Sequence, residues 1–363
     1  MDQDEDWRNE LVAEHLAVAG KILAARGPGI DSCLLIGSLA AGYGTTRSDV
    51  DLLTFTGEAD SLPGASAGEY SGERRVDVEH LRLSEALALI ESLGSYQVLE
   101  SDVSQLYRAN DALELFCRLM SSPRVLRDSA GLRSLLARCR SVAESATRIR
   151  VSRATLLANN TLEDALGFLE IGDVRSALHS SGTMLHFGMD ALCSALGDTF
   201  FGQKWNVQRV GSVLSRNPAY RQGLFALLDS GDTQTPSAVL RRIEISQQLL
   251  AVANVTVWEP ATVHLRLPRF EAPRNAYRRD RHWYLLKYDA RWAMSDGRRS
   301  YQVPWTAVLV WGLAGGLAED ELVEAGREEI GRAVGRQIPS ALPLSLVHRL
   351  RELGALTTGA GGR

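Results

Sequence analysis

One stretch, residues 34–53, constrains this chain more than any other. An apolar run, Leu34-Leu35-Ile36, ends in Gly37-Ser38, and Gly42, Gly44, Ser48, Asp49 and Asp51 follow closely. The run reads as a core strand, and a glycine at its tip lacks the Cβ that would keep a phosphate off the backbone. Ser38 offers that phosphate a hydroxyl and an amide. Residues 39–47 predict a short helical or irregular segment whose free N–H groups face an anion, with Gly42 and Gly44 permitting a tight return. Asp49 and Asp51 are two apart on a second strand predicted over 49–56. Both carboxylates therefore share a face, while Val50 and Leu52 point into the core. Two hard oxygen ligands side by side suit Mg2+, which keeps waters and completes its shell from phosphates.

The pattern G-S-x3-G-x5-S-D-x-D, met by Gly37, Ser38, Gly42, Ser48, Asp49 and Asp51, resembles the nucleotidyltransferases of the DNA polymerase β superfamily, closest to the minimal and aminoglycoside-modifying branches. The resemblance implies two Mg2+ ions, ATP or another nucleoside triphosphate as donor, and a third carboxylate on a neighbouring strand. The next strand, residues 75–81, alternates so that Asp77 and Glu79 share a face opposite Val76 and Val78. The family sets its third acid between two apolar residues, which favours Asp77, with Glu79 the alternative. The implied catalytic and metal-binding acids are thus Asp49, Asp51 and Asp77, and the implied nucleotide contacts are Gly37, Ser38 and Ser48. His80, on the opposite face, reads as a packed core residue. Further on, Phe201-Gly202-Gln203-Lys204-Trp205 is similar to a Lys-Trp element of the aminoglycoside-type relatives. Lys204 either contacts the triphosphate as a point charge or is an exposed lysine beside a core tryptophan.

The rest of the chain bounds the class. Its 363 residues suffice for two or three domains, and a formal net charge of −4 excludes a polycation built to coat nucleic acid. Cys33, Cys117, Cys139 and Cys193 lie far apart with no C-x-x-C spacing, against a zinc site or a disulfide framework. The acidic start, residues 1–6, is unlike a secretory signal, and the uncharged apolar stretch 303–317 falls short of the roughly 18–20 residues that span a bilayer. A soluble, reduced, cytoplasmic protein without membrane attachment is expected.

Apolar spacing organises the chain as an α+β protein in three parts. Residues 1–102 predict a small mixed-sheet nucleotidyltransferase domain, opened by a helix over 7–25 and closed by a helix at 83–93 and a short strand at 96–99. Its Gly- and Ser-rich segment 57–74 reads as a mobile excursion between strands. Residues 103–259 predict a helical bundle, and the likeness to the aminoglycoside-type relatives implies that it holds the acceptor pocket, with Glu163, Asp164 and Glu170 as candidate general bases. On its helix 174–196, His179 and His186 share a face as core or pocket lining. Residues 260–273 read as a proline-broken linker. Residues 274–357 place paired strands (281–288, 291–294, with 301–303 beside them) before helices at 304–313, 318–325 and 342–353, a winged-helix arrangement that resembles the PqqD-type peptide-recognition domain. That likeness implies binding of an extended peptide by strand addition. Arg266, Arg269, Arg274, Arg278, Arg279, Arg281, Arg298 and Arg299, interleaved with Tyr277, Trp283 and Tyr284, could alternatively hold RNA. The tail, residues 359–363, is expected to be disordered.

The leading expectation is transfer of a nucleoside monophosphate, AMP from ATP first, to an oxygen nucleophile of a small-molecule or of a peptide or carrier-bound acceptor. An RNA- or tRNA-directed transferase and a non-catalytic nucleotide- or peptide-binding regulator are the alternatives, and a homo-oligomer stays open.

Overall fold

Strand β1 (Ser32–Ile36) is buried at every position, and its neighbour β2 (Val50–Thr56) at every position but Asp51. Such continuous apolar runs need cover on both faces. Helix α1 (Gln3–Arg26) covers one, setting Ala19, Ile22 and Leu23 against Cys33, Leu35, Val50, Leu52, Val76 and Val78. The computed structural model describes residues 3–26, 29–57, 67–71, 74–98, 105–229, 234–259, 269, 275–289 and 291–358.

The chain then runs through a one-turn helix α2 (Gly37–Ala40), β3 (Ala67–Ser71), β4 (Arg74–Arg82), α3 (Leu83–Gly94), α4 (Gln105–Arg108), α5 (Asn110–Met120), β5 (Arg124–Arg127) and α6 (Ala130–Ser141). The five strands form one mixed sheet in the order β3-β4-β2-β1-β5, with β2 and β4 parallel and the other pairs antiparallel. In β4 the alternation is strict: Val76, Val78 and His80 are buried, and Asp77 and Glu79 fall on the other face. Helix α3 packs on α5 and α6.

The remaining elements are α7 (Ala143–Glu170), α8 (Val174–Ala195), α9 (Asn206–Val213), α10 (Pro218–Asp229), α11 (Pro236–Trp258), β6 (Tyr277–Arg279), β7 (Tyr284–Tyr288), β8 (Arg291–Ser295), β9 (Ser300–Val303), α12 (Trp305–Leu313), α13 (Glu319–Ala333), α14 (Ala341–Leu353) and β10 (Leu356–Thr358). Here β7, β8 and β9 make an antiparallel sheet, and β6 pairs with β10. The protein is thus a mixed α+β structure. Among the described residues no helix is long and apolar enough to cross a membrane. All four cysteines are buried and none forms a disulfide.

Contacts divide the chain into two units that are not consecutive in sequence. One comprises Met1–Tyr96, Arg108–Ala146 and Thr199–Trp205; the other Gln97–Tyr107, Thr147–Asp198 and Asn206–Arg363. The division departs from the boundaries expected at 102, 259 and 273, for two physical reasons. In the first unit, β5 adds to the free edge of β1, which carries the following helix with it. In the second, α11 is almost wholly buried from Ile243 to Val255 and packs with elements on both sides of it in sequence. Its Ile243, Leu250 and Ala253 pack among α7 and α8, its Ile245, Leu249 and Val252 face α9 and α10, and its Ala251 and Val255 join the core around Trp311. Polar groups on the same helix are consumed in this packing. Gln247 Nε2 donates to the carbonyl of Trp283 at 2.8 Å, and Gln248 Nε2 to that of Gly312 at 3.2 Å. Buried Arg279 reaches the last carbonyls of α12 at Trp311, Gly312 and Ala314 and also the carbonyl of Glu244.

Smaller differences follow the same logic. Residues 67–71 of the expected excursion form an edge strand on β4, while 58–66 and 72–73 lie outside the described residues. The strand expected at 96–99 does not form over 96–98, and residue 99 is outside them. The segments expected as a linker (260–273, apart from 269) and as a tail (359–363) also lie outside. Among the arginines, Arg266 and Arg274 are outside; Arg279 is buried, Arg278 pairs with Glu244 and Arg269 with Glu321, while Tyr277 and Trp283 are core residues. Three residues of the expected basic-aromatic surface, Tyr277, Arg279 and Trp283, are therefore internal structure.

The most polar point of the second unit is a buried charge network. Asp190 accepts from Arg150 and Arg209 at 2.7 Å each, and Arg209 Nε donates to Asp198 at 2.9 Å. Burial pushes the Asp190 carboxyl up, but the two arginines and their hydrogen bonds prevail and hold it at about 2. A depressed carboxylate stabilises the fold above its ordinary pKa and loses that contribution as pH falls from about 4 to about 2. Asp190→Ala, which strands Arg150 and part of Arg209, is expected to cost about 3–5 kcal/mol in urea unfolding at pH 7 and far less at pH 2.

Candidate functional site

The Gly37 backbone has φ +78°, a left-handed conformation that favours glycine, and it turns the chain out of β1. A Cβ at this position would overlap the Asp51 carboxylate, standing 2.8 Å from its Cγ. Glycine is required twice over, once by conformation and once by the carboxylate lying against it. The segment that follows is shorter than an anion-binding helix. Helix α2 is one turn, and the amides of Ala41, Gly42, Tyr43 and Gly44 donate to the carbonyls of Gly37, Leu39, Ser38 and Ser38. An anion would therefore meet the start of this segment rather than a whole helix end. The return is pinned by Ser48, whose Oγ accepts from Thr45 N at 2.9 Å and lies 3.5 Å from Ser38 Oγ. Ser38 and Ser48 thus stand together beside Gly37, with Asp49 next along the chain.

Strand register brings the acids together. Ile36, Asp51, Asp77 and Gly68 occupy one row across β1, β2, β4 and β3. As register partners on adjacent strands, Asp51 and Asp77 are side-by-side neighbours on the same face. Burial first, then the charges of Asp77 and Asp49, push the Asp51 carboxyl up to about 6, opposed by Arg118 and Lys204. Asp51 therefore feels both of the other acids named from the sequence.

Glu79 is elsewhere engaged. Arg118 of α5 donates to Glu79 and, four residues back on its own helix, to Glu114. His80 is buried on the opposite face, its Nδ1 bonded to Thr54 Oγ1. The geometry therefore sets Asp77 beside Asp51 and gives Glu79 to an arginine.

A cavity of about 490 Å3 opens over this row. Gly37, Ser38, Asp51, Asp77 and Glu79 line it from the sheet, Glu114 and Arg118 from α5, and Phe200, Phe201, Lys204 and Trp205 from the segment after α8. Its volume falls in the range of small-molecule sites. Tyr43, on the loop between Gly42 and Gly44, anchors the aromatic wall: its ring centroid is 5.1 Å from Phe200 and 6.5 Å from Trp205, stacked on the latter. Lys204 is exposed, with Nζ 5.5 Å from the Trp205 ring. The lysine therefore stands exposed beside a half-buried tryptophan, and its charge reaches Asp51.

Arg118, Glu114 and Arg75 were not singled out from the sequence. The i,i+4 spacing of Glu114 and Arg118 on an amphipathic helix was the available signal, but such pairs are common on solvated faces. Glu163, Asp164, Glu170, His179 and His186 belong to the second unit and are not among the described residues lining the cavity.

Chemically, the cavity offers oxygen donors whose mutual repulsion a cation would relieve, with cationic groups close by for an anion. Among the described residues no group of three or more His, Cys, Asp or Glu side chains is assembled to hold a metal ion. The row suits a cation that takes one or two carboxylates from protein and the rest from phosphate and water, as Mg2+ does.

Two outcomes test this geometry. Asp51 binds its proton more tightly in the folded than in the unfolded chain, so stability falls as pH rises from about 4 to about 6 and stays reduced above. Asp51→Asn is expected to melt higher than the parent at pH 8 without divalent cations, by roughly 1–2 kcal/mol once partial exposure is allowed for, and equally at pH 3.5. Gly37→Ala is expected to lose roughly 1–3 kcal/mol, a loss that shrinks when Asp51→Ala removes the overlapping carboxylate.

The chain matches no protein-family model, and no curated protein is significantly similar to it.

Proposed function

We propose that the first unit is a nucleotidyltransferase of the DNA polymerase β type, moving a nucleoside monophosphate, AMP from ATP first, onto an oxygen nucleophile with release of pyrophosphate. The observation that carries this reading is the in-register pair Asp51 and Asp77, electrostatically joined to Asp49, beside a left-handed Gly37-Ser38 turn in a cavity of nucleotide size.

Asp51 and Asp77 would hold Mg2+, with Asp49 adding negative charge beside them and Gly37 leaving the space that the Asp51 carboxylate occupies. The metal, when bound, supplies positive charge where negative charge grows at the α-phosphorus. Ser38 and Ser48 meet phosphate oxygens at the turn, and Lys204 adds a point charge from the facing wall. The acceptor oxygen forms its bond to the α-phosphorus as the bond to the β-phosphate bridging oxygen breaks. Asp77, with 36% of its side chain exposed, would take the acceptor's proton.

In the second unit, the sheet β7-β8-β9 followed by α12, α13 and α14 is read as the winged-helix, PqqD-like domain, whose edge strands would bind an extended peptide acceptor. A small-molecule acceptor held by the helices α7, α8 and α11 is the other form of the proposal, and an RNA acceptor would use the exposed Arg298 and Arg299. A second reading, nucleotide binding without turnover, draws support from one observation: Arg75 occupies an oxygen of Asp77.

Incubation with α-labelled ATP, Mg2+ and pools of small molecules, peptides and RNA separates these by the size of the labelled product. Asp51→Asn and Asp77→Asn are expected to reduce transfer by roughly 100- to 1,000-fold, and Glu79→Gln by much less. Loss in Glu79→Gln with retention in Asp77→Asn would reverse the assignment of the third acid. Nucleotide binding with no labelled product from any pool would favour the second reading.

A further inference from the structure

Arg75 stands two residues before Asp77 on β4, on the same face, and its Nε donates to Asp77 Oδ1 at 3.1 Å. The sheet makes room for this contact. Gly68 is the register partner of Asp77 on the edge strand β3. A Cβ there would lie 3.1 Å from Asp77 Oδ1, crowding it, and 3.8 Å from Arg75 Nε, in ordinary contact. Asp77 and then Asp49 strengthen the hold on the Arg75 proton.

Among the described residues, the three cations lining the cavity differ in how they are held. Arg118 is clasped by Glu79 and Glu114, and Lys204 rests over Trp205. Arg75 is bound to one carboxylate oxygen, with its side chain 53% exposed and that of Asp77 36% exposed. An ion pair this exposed is weak and exchanges readily. Its guanidinium also has the fork geometry that grips phosphate oxygens in pairs.

We propose that Arg75 is an exchangeable counter-ion of this site: it neutralises Asp77 while the cavity is empty, yields that carboxylate to a divalent cation, and transfers its own charge to the phosphates of the entering nucleotide. The inference rests on reading the cavity as a nucleoside triphosphate site. Arg75 and the cation compete for the same oxygen, whereas Arg75 and the triphosphate attract. Removing the guanidinium must therefore move the two affinities in opposite directions. A purely structural surface pair would move neither.

The test uses the full chain, with Mn2+ followed by electron paramagnetic resonance and an α,β-methylene ATP analogue followed by calorimetry. Arg75→Gln is expected to bind Mn2+ alone about two- to fivefold more tightly and the analogue about tenfold more weakly, with an unchanged circular dichroism spectrum. Arg75→Lys, which keeps the charge but loses the fork, is expected to fall between the two. Unchanged or weaker Mn2+ binding in Arg75→Gln, or undiminished analogue binding, overturns the proposal while leaving the nucleotide reading intact. If the unsubstituted chain binds neither Mn2+ nor the analogue, both are overturned.

Discussion

The first unit depends on a carboxylate pressed against a glycine. Asp51 lies in the space that any side chain at position 37 would fill, and Gly37 takes the left-handed conformation that lets β1 turn at that point. Neighbouring acids and burial make this carboxylate costly to ionise. A fold selected for stability alone would place an apolar or neutral residue there. The chain instead sets Asp51 beside Asp77 at a cavity, with Asp49 close enough to add its charge, a cost that a bound cation would relieve.

The surrounding charges determine what the cavity can do. Arg118 engages Glu79 and Glu114 and so keeps Glu79 from the side of Asp51, and it lowers the cost of ionising Asp51 from a distance. The aromatic contacts of Tyr43 with Phe200 and Trp205 hold the segment carrying Lys204 against the same turn that carries Ser38. The second unit is organised on another principle. Helix α11 is apolar enough to be enclosed, and its glutamines and Asn254 bond to surrounding backbone and to Thr155, so that bundle and C-terminal strands share one core helix.

Several features were legible because they are local. The alternation of Val76, Asp77, Val78 and Glu79 declares a strand and its faces within a few residues, and the helices at 83–94, 110–120 and 174–195 declare themselves by their own periodicity. Features that depend on distant partners were not. Residues 124–127 carry no strong strand pattern and become β5 because the edge of β1 needs a neighbour. Residues 67–71, rich in small residues, become β3 for the same reason against β4. Apolar spacing likewise divides the chain into consecutive pieces, whereas the contact pattern follows which surfaces fit.

The sequence by itself determined where the candidate groups fall along the chain: Gly37 and Ser38 at a strand tip, Asp49 just before β2, and Asp51 and Asp77 on the strand faces turned from the core, because side-chain period and the missing Cβ are properties of single residues and their immediate neighbours. Tertiary structure decided which of these stand together. Period two assigns a face but leaves each strand free to slide along its neighbour, and only the packed sheet sets Asp51 level with Asp77, turns Glu79 toward Arg118 and lays Arg75 over the gap at Gly68.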